Sequence, residues 1–146
     1  MAHSYPHLLP GPAAVLDQLD HCRATGDVAT HALILLALPH RDGWPLPAST
    51  LTIVSAAVSR SIRAEDWIGR AGISDLALII RGDTAAAATM AQRLVGIIGD
   101  LRLHGFTPRA AITALEPGLD ALAALDAASA CLRTARATDG PPVTTT

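Results

Sequence analysis

A chain of 146 residues, half of them hydrophobic, is long enough for one domain with a single buried core, and two cysteines are too few for a disulfide framework. A formal charge of −2 and a pI near 6.3, with no arginine- or lysine-rich run, exclude the electrostatic footprint of a nucleic-acid or acidic-membrane binder. The longest apolar run, Ala32 to Leu38, is too short to cross a bilayer, and no positive segment precedes an apolar one at the N-terminus, so a soluble cytoplasmic protein is expected.

Residues 1–12 contain Pro6, Pro10 and Pro12 without periodicity and read as an irregular segment. From Ala13 to Ala24, Leu16, Leu19 and Cys22 recur at helical spacing, and Gly26 supplies the stop. His31 to Leu38 is a continuous apolar run ended by Pro39, as suits a central strand buried on both faces. A proline-containing loop follows, then a helix over Leu51 to Arg63 with Leu51, Val54, Val58 and Ile62 on one face and Ser49 or Thr50 as its cap. Asp66–Arg70 and Asp75–Arg81 are short β-prone runs separated by a turn, a hairpin signal. After Gly82-Asp83 an alanine-rich helix runs to about Leu103, followed by a strand within 106–115 and a helix over Leu119 to Ala137. Thr138 to Thr146, with Pro141-Pro142 and a threonine run, reads as a frayed, flexible tail. The folded domain is therefore 13–137. Its order, α-β-α-β-β-α-β-α, predicts an α/β (α+β) fold: a mixed central sheet with a hairpin, flanked by helices.

Most catalytic chemistries lack support. His3, His7, His21, His31, His40 and His104 form no metal-ligating pair on a predicted helix and no cluster with Cys22 or Cys131, so no metal and no cofactor are expected. Both cysteines fall in apolar helical patterns, where a free thiol behaves as a small hydrophobe. No G-x-S-x-G is present, and the phosphate-cradling loop that ends in Gly-Lys is ruled out because the chain contains no lysine. Arg81-Gly82-Asp83 spells an adhesion tripeptide, but a strand end, a glycine turn and a helix-capping aspartate account for it.

The stretch RAEDWIGRAGISDLALIIRGD, residues 63–83, concentrates Arg63, Arg70 and Arg81 with Glu65, Asp66, Asp75 and Asp83. Its order of residues resembles R-x-x-D, a spacer and then the R-x-G-G-D-E-F signature of the GGDEF domains, the fold of diguanylate cyclases. The likeness extends over nearly all of residues 8–137: LLPGPAAVLDQLD resembles that family's first helix, HALILLALPHRD its first strand, MAQRL its next helix motif, and ASACLRTAR its final helix. Residues Gly72, Ile73, Ser74, Asp75 and Leu76 stand where the signature should be, and only Gly72 matches it fully.

What the resemblance implies divides in two. Cyclases of the family hold divalent metal on a carboxylate at the end of the first strand and another in the signature turn. Here the first position is Ala37, whose methyl group cannot coordinate a hard cation, and Asp75 replaces the glutamate. Ile73 in place of the second glycine should block close approach of a nucleotide. The loop after the first strand is shorter than the family's, and Asp42 is the one further acidic residue near the centre. Arg136, in place of the family's last lysine, remains phosphate-compatible. An inactive enzyme is therefore expected.

By contrast the R-x-x-D element is intact. Arg63 and Asp66 occupy the family's product-binding inhibitory site, and Arg93 falls where a further arginine often joins the ligand. An arginine fork suits O6 and N7 of guanine, and a carboxylate suits the guanine N1 and N2 donors. The expectation is a cyclic di-GMP receptor acting through self-association or an unidentified protein partner. The alternatives are an Arg63–Asp66 surface ion pair without a ligand, and an interaction or scaffold module of the same fold that binds no nucleotide.

Overall fold

The computed structural model describes residues 9–24, 31–38, 47–72, 74–103, 107–116, 119–138 and 140–146. Among these residues four helices and five strands follow in the order α1 (Pro12–Ala24), β1 (His31–Ala37), α2 (Ala48–Ser61), β2 (Trp67–Arg70), β3 (Asp75–Arg81), α3 (Thr84–Asp100), β4 (Arg109–Ala114), α4 (Ala121–Ala137) and β5 (Val143–Thr145). The sheet order is β2-β3-β1-β4-β5, which places the apolar β1 at the centre. β1 pairs antiparallel with both β3 and β4, β2 antiparallel with β3, and β5 parallel with β4, so the sheet is mixed.

Alternation along β1 explains why it has no polar face. Ala32, Ile34 and Leu36 point into a cluster with Val54 and Val58 of α2 and Leu94 and Ile98 of α3. Leu33, Leu35 and Ala37 point the other way, against Val15 and Leu19 of α1 and Ala124, Ala128 and Leu132 of α4. Two helices thus cover each face of one sheet. Cys22 is buried in the second cluster and Cys131 packs at its margin.

Helix boundaries follow the caps. Pro12 opens α1 at a position where its missing N–H costs nothing. Asp83 caps α3, its Oδ1 accepting the Ala86 N–H at 2.8 Å, so the Arg-Gly-Asp sequence is a strand end followed by a helix start. Gly82 makes the turn at φ 147°, which a side chain would strain. Helix α2 differs from expectation: its cap is Pro47, whose carbonyl accepts the Leu51 N–H at 3.0 Å, and Ser49 and Thr50 lie inside the first turn. Helix α4 begins at Ala121 because Asp120 holds an extended backbone, and α3 ends at Asp100, short of Leu103.

The C-terminal segment also corrects the expectation of a frayed tail. Val143–Thr145 form β5, with the Ala110 N–H bonded to the Pro142 carbonyl at 2.7 Å and the Thr146 N–H to the Ile112 carbonyl at 2.8 Å. Arg109 Nη1 donates to the Gly140 carbonyl at 2.7 Å, and the Thr146 and Thr113 hydroxyls lie 3.2 Å apart. Val143 and the threonines are β-branched and suit a strand, while Pro141 and Pro142 precede it, where no ladder donor is needed.

Candidate functional site

Helix α2 stops where Ile62 turns extended, and the chain crosses to β2 through Arg63 to Asp66. This crossing is locked by one carboxylate. Asp66 Oδ2 accepts the Arg63 backbone N–H at 2.9 Å, Oδ1 accepts the Arg81 backbone N–H at 3.4 Å, and the Asp66 N–H returns to the Arg63 carbonyl at 3.1 Å. The β2–β3 register, with Trp67 opposite Ile79, brings Asp66 beside the end of β3. Arg63, Asp66, Ile80, Arg81, Ala86 and Met90 line a small cleft there, with an empty volume of about 270 Å³.

The expected pair is therefore brought together, but not as an ion pair. Among the described residues no ion pair engages Arg63, whose side chain is exposed. The surface ion pair weighed from sequence is thus replaced by bonds between carboxylate and main chain. Each Asp66 oxygen uses one lone-pair direction on the backbone and retains another for a ligand donor. Arg93 does not line the cleft; it is exposed on α3 one turn beyond Met90, on the helix face that Ala86 and Met90 share. Sequence reading missed the part of Arg81, whose N–H fixes the carboxylate; the hairpin register is the signal that could have located it.

The signature turn lies at the opposite end of the hairpin. The Ser74 carbonyl accepts the Leu38 N–H at 2.9 Å, and the Ala71 and Gly72 N–H groups reach the Asp75 carbonyl at 3.0 and 3.4 Å. Leu76 is wholly buried in the core, which makes it a packing residue. Ile73, Asp42, His3, His7, His40 and His104 lie outside the described residues.

Asp75 sits directly across from Ala37 in the β1–β3 ladder. With Leu35, Ser129, Leu132, Arg133 and Arg136 these two line a cleft with an empty volume of about 470 Å³. Burial raises the Asp75 pKa above its ordinary value, and the positive charge of Arg136 partly offsets the rise. The donor set fits a divalent cation poorly, because Ala37 is a buried methyl beside a single carboxylate. Among the described residues no group of three or more histidine, cysteine, aspartate or glutamate side chains could hold a metal ion. None of their helices is long and apolar enough to cross a membrane.

No protein-family model matches the chain, and no curated protein matches it in sequence. Solved structures do. The GGDEF domain of DgcB from Caulobacter crescentus, crystallised in complex with c-di-GMP, superposes with a TM-score of 0.78 at 20% identity over 94% of this chain and 91% of that one. The FimX GGDEF domain from Pseudomonas aeruginosa gives 0.77 at 17% identity over 100% and 99%. Diguanylate cyclase SiaD from Pseudomonas aeruginosa, in complex with its activator SiaC, gives 0.80 at 18% identity over 94% of this chain and 59% of that one. At these identities the likeness is one of fold, and the fold is that of a GGDEF domain.

Proposed function

We propose that this chain, which carries the GGDEF-domain fold, is a catalytically inactive signalling domain that receives cyclic di-GMP at Arg63 and Asp66, with Arg93 alongside. The observation that carries this reading is the geometry of the pair: Asp66 grips the main chain of Arg63 and leaves the guanidinium exposed beside a carboxylate with lone pairs to spare. A ligand with two guanines matches both groups, since the fork donates to O6 and N7 of one base while the carboxylate accepts from N1 and N2 of the other. The structure of the DgcB domain with c-di-GMP supports the choice of ligand. Each bidentate contact contributes about 1–3 kcal/mol, whereas micromolar affinity needs about 8, so a third arginine such as Arg93 has a part to play.

Inactivity rests on Ala37 opposite Asp75, where metal-dependent phosphoryl transfer would need a second oxygen ligand. Calorimetric titration with cyclic di-GMP tests the receptor reading, with Arg63→Ala as control; no heat at about 100 μM ligand would sink it. Incubation with GTP and magnesium or manganese tests the inactivity, and turnover abolished by Asp75→Ala would refute it.

The second reading is an interaction module of the same fold without a nucleotide. Its support is the exposure of Ile53 on α2 and Leu122 on α4, together with the SiaD–SiaC complex as a case of a GGDEF-fold protein held by a protein partner. In either case the output would pass through self-association or a docked protein.

A further inference from the structure

We infer that the outward face of α4 is a self-docking surface on which a second copy of this chain lays its own α4 antiparallel. Leu122, Asp126, Ala130, Arg133 and Ala137 form one exposed stripe along α4, with Leu122 and Asp126 at the rim of the groove between α4 and α1 and Arg133 at the rim of the Asp75 cleft. All five are exposed, and Leu122, at 56%, is the more exposed of two large apolar side chains that stand out in this way.

The stripe is complementary to its own reverse. About a two-fold axis beside Ser129 and Ala130, Asp126 of each copy faces Arg133 of the other, and Leu122 faces Ala137, so every contact occurs twice. Parallel pairing would set Asp126 against Asp126 and Arg133 against Arg133. Within one chain the two charges are about 10 Å apart along the helix axis, too far to satisfy each other. No ion pair among the described residues engages either. A uniformly acidic partner would be repelled at Asp126 and a uniformly basic one at Arg133, whereas a second copy presents the inverted order. Ala130 and Ala137, both on the stripe, are small and let the helices approach toward the short end of the usual 8–10 Å spacing.

A single helix stripe covers less than the roughly 1,200 Å² of a standard interface, so the pair is weak and reversible. It requires no nucleotide and is independent of the receptor reading.

Sedimentation equilibrium of the ligand-free chain, from about 5 to 500 μM, is the test. The wild-type mass should rise toward twice the monomer. Asp126→Arg and Arg133→Asp should each raise the dissociation constant at least tenfold, Asp126→Asn should raise it less, and the double reversal should restore it, with circular dichroism confirming that each variant folds. A wild type monomeric throughout, single reversals that dimerise like wild type, or a double reversal that stays monomeric would each overturn the inference. None of these outcomes bears on cyclic di-GMP titration of the monomer.

Discussion

Asp66 holds Arg63 by its main chain: Oδ2 accepts the Arg63 N–H at 2.9 Å while the Asp66 N–H returns to the Arg63 carbonyl at 3.1 Å. The two residues therefore make separable contributions. The carboxylate closes the α2-to-β2 crossing, and the guanidinium is left for other work.

Removing the carboxylate should cost stability with or without a ligand. Asp66→Ala is expected to lower the free energy of unfolding by about 1–2 kcal/mol, the range seen when a side-chain cap on orphan N–H groups is lost. Asp66→Asn keeps one acceptor oxygen and should cost less. Urea midpoints at constant slope provide the measurement.

Arg63→Ala should behave in the opposite way. An exposed guanidinium that no described residue engages in an ion pair contributes little, so stability should stay within about 0.5 kcal/mol of wild type. Affinity for cyclic di-GMP should fall by about 10–100-fold, corresponding to the loss of one bidentate contact. Arg63→Lys should not rescue it, because an ammonium lacks the planar fork.

The pH dependence of stability should carry the signature of Asp75. Burial raises its folded-state pKa above 3.8, so the folded chain holds this proton more tightly than the unfolded chain does. Ionisation of Asp75 therefore works against folding at neutral pH. That penalty shrinks as pH falls through the raised value and is gone below 3.8. Asp75→Asn should accordingly be more stable than wild type at neutral pH, with an advantage that fades on acidification; an advantage that grows in acid would contradict the cause assigned here. Arg136→Ala should push the Asp75 pKa higher still.

Gly69 is required by its neighbours. A Cβ there would stand 2.5 Å from Trp67 Cη2 and 3.0 Å from the Pro10 carbonyl oxygen, so the indole rests where a side chain would be. Gly69→Ala should destabilise by about 1–3 kcal/mol and shift the indole emission, although alanine is no worse than glycine for strands in general.

Arg102 holds a left-handed backbone, φ 54°, just past the end of α3. Glycine occupies such a position without the Cβ penalty, so Arg102→Gly should stabilise by up to about 1 kcal/mol in thermal melts.

Much of this architecture was legible in the residues because its signals are local. Ala32–Ala37 is uniformly apolar and became the body of the central strand; the turn between Arg70 and Asp75 became the hairpin; and Asp83 became a cap. The errors share one cause. Val143–Thr145 has no periodicity long enough to announce a strand, and becomes one only because the outer edge of β4 offers it carbonyls and N–H groups. Ser49 and Thr50 are good caps by type, but the helix starts earlier because Pro47 already supplies the first acceptor.

For the candidate site the division is sharper. The sequence by itself determined which groups are available: Arg63 and Asp66 three residues apart, Arg93, Asp75, and only a methyl group at Ala37. Only the tertiary structure decided what those groups touch. That Asp66 takes the Arg81 N–H, that Arg93 flanks the cleft without lining it, and that Asp75 feels Arg136 are contacts between segments distant in the chain. Strand register and helix docking set such contacts, and neither can be read from residue types and spacing within one segment.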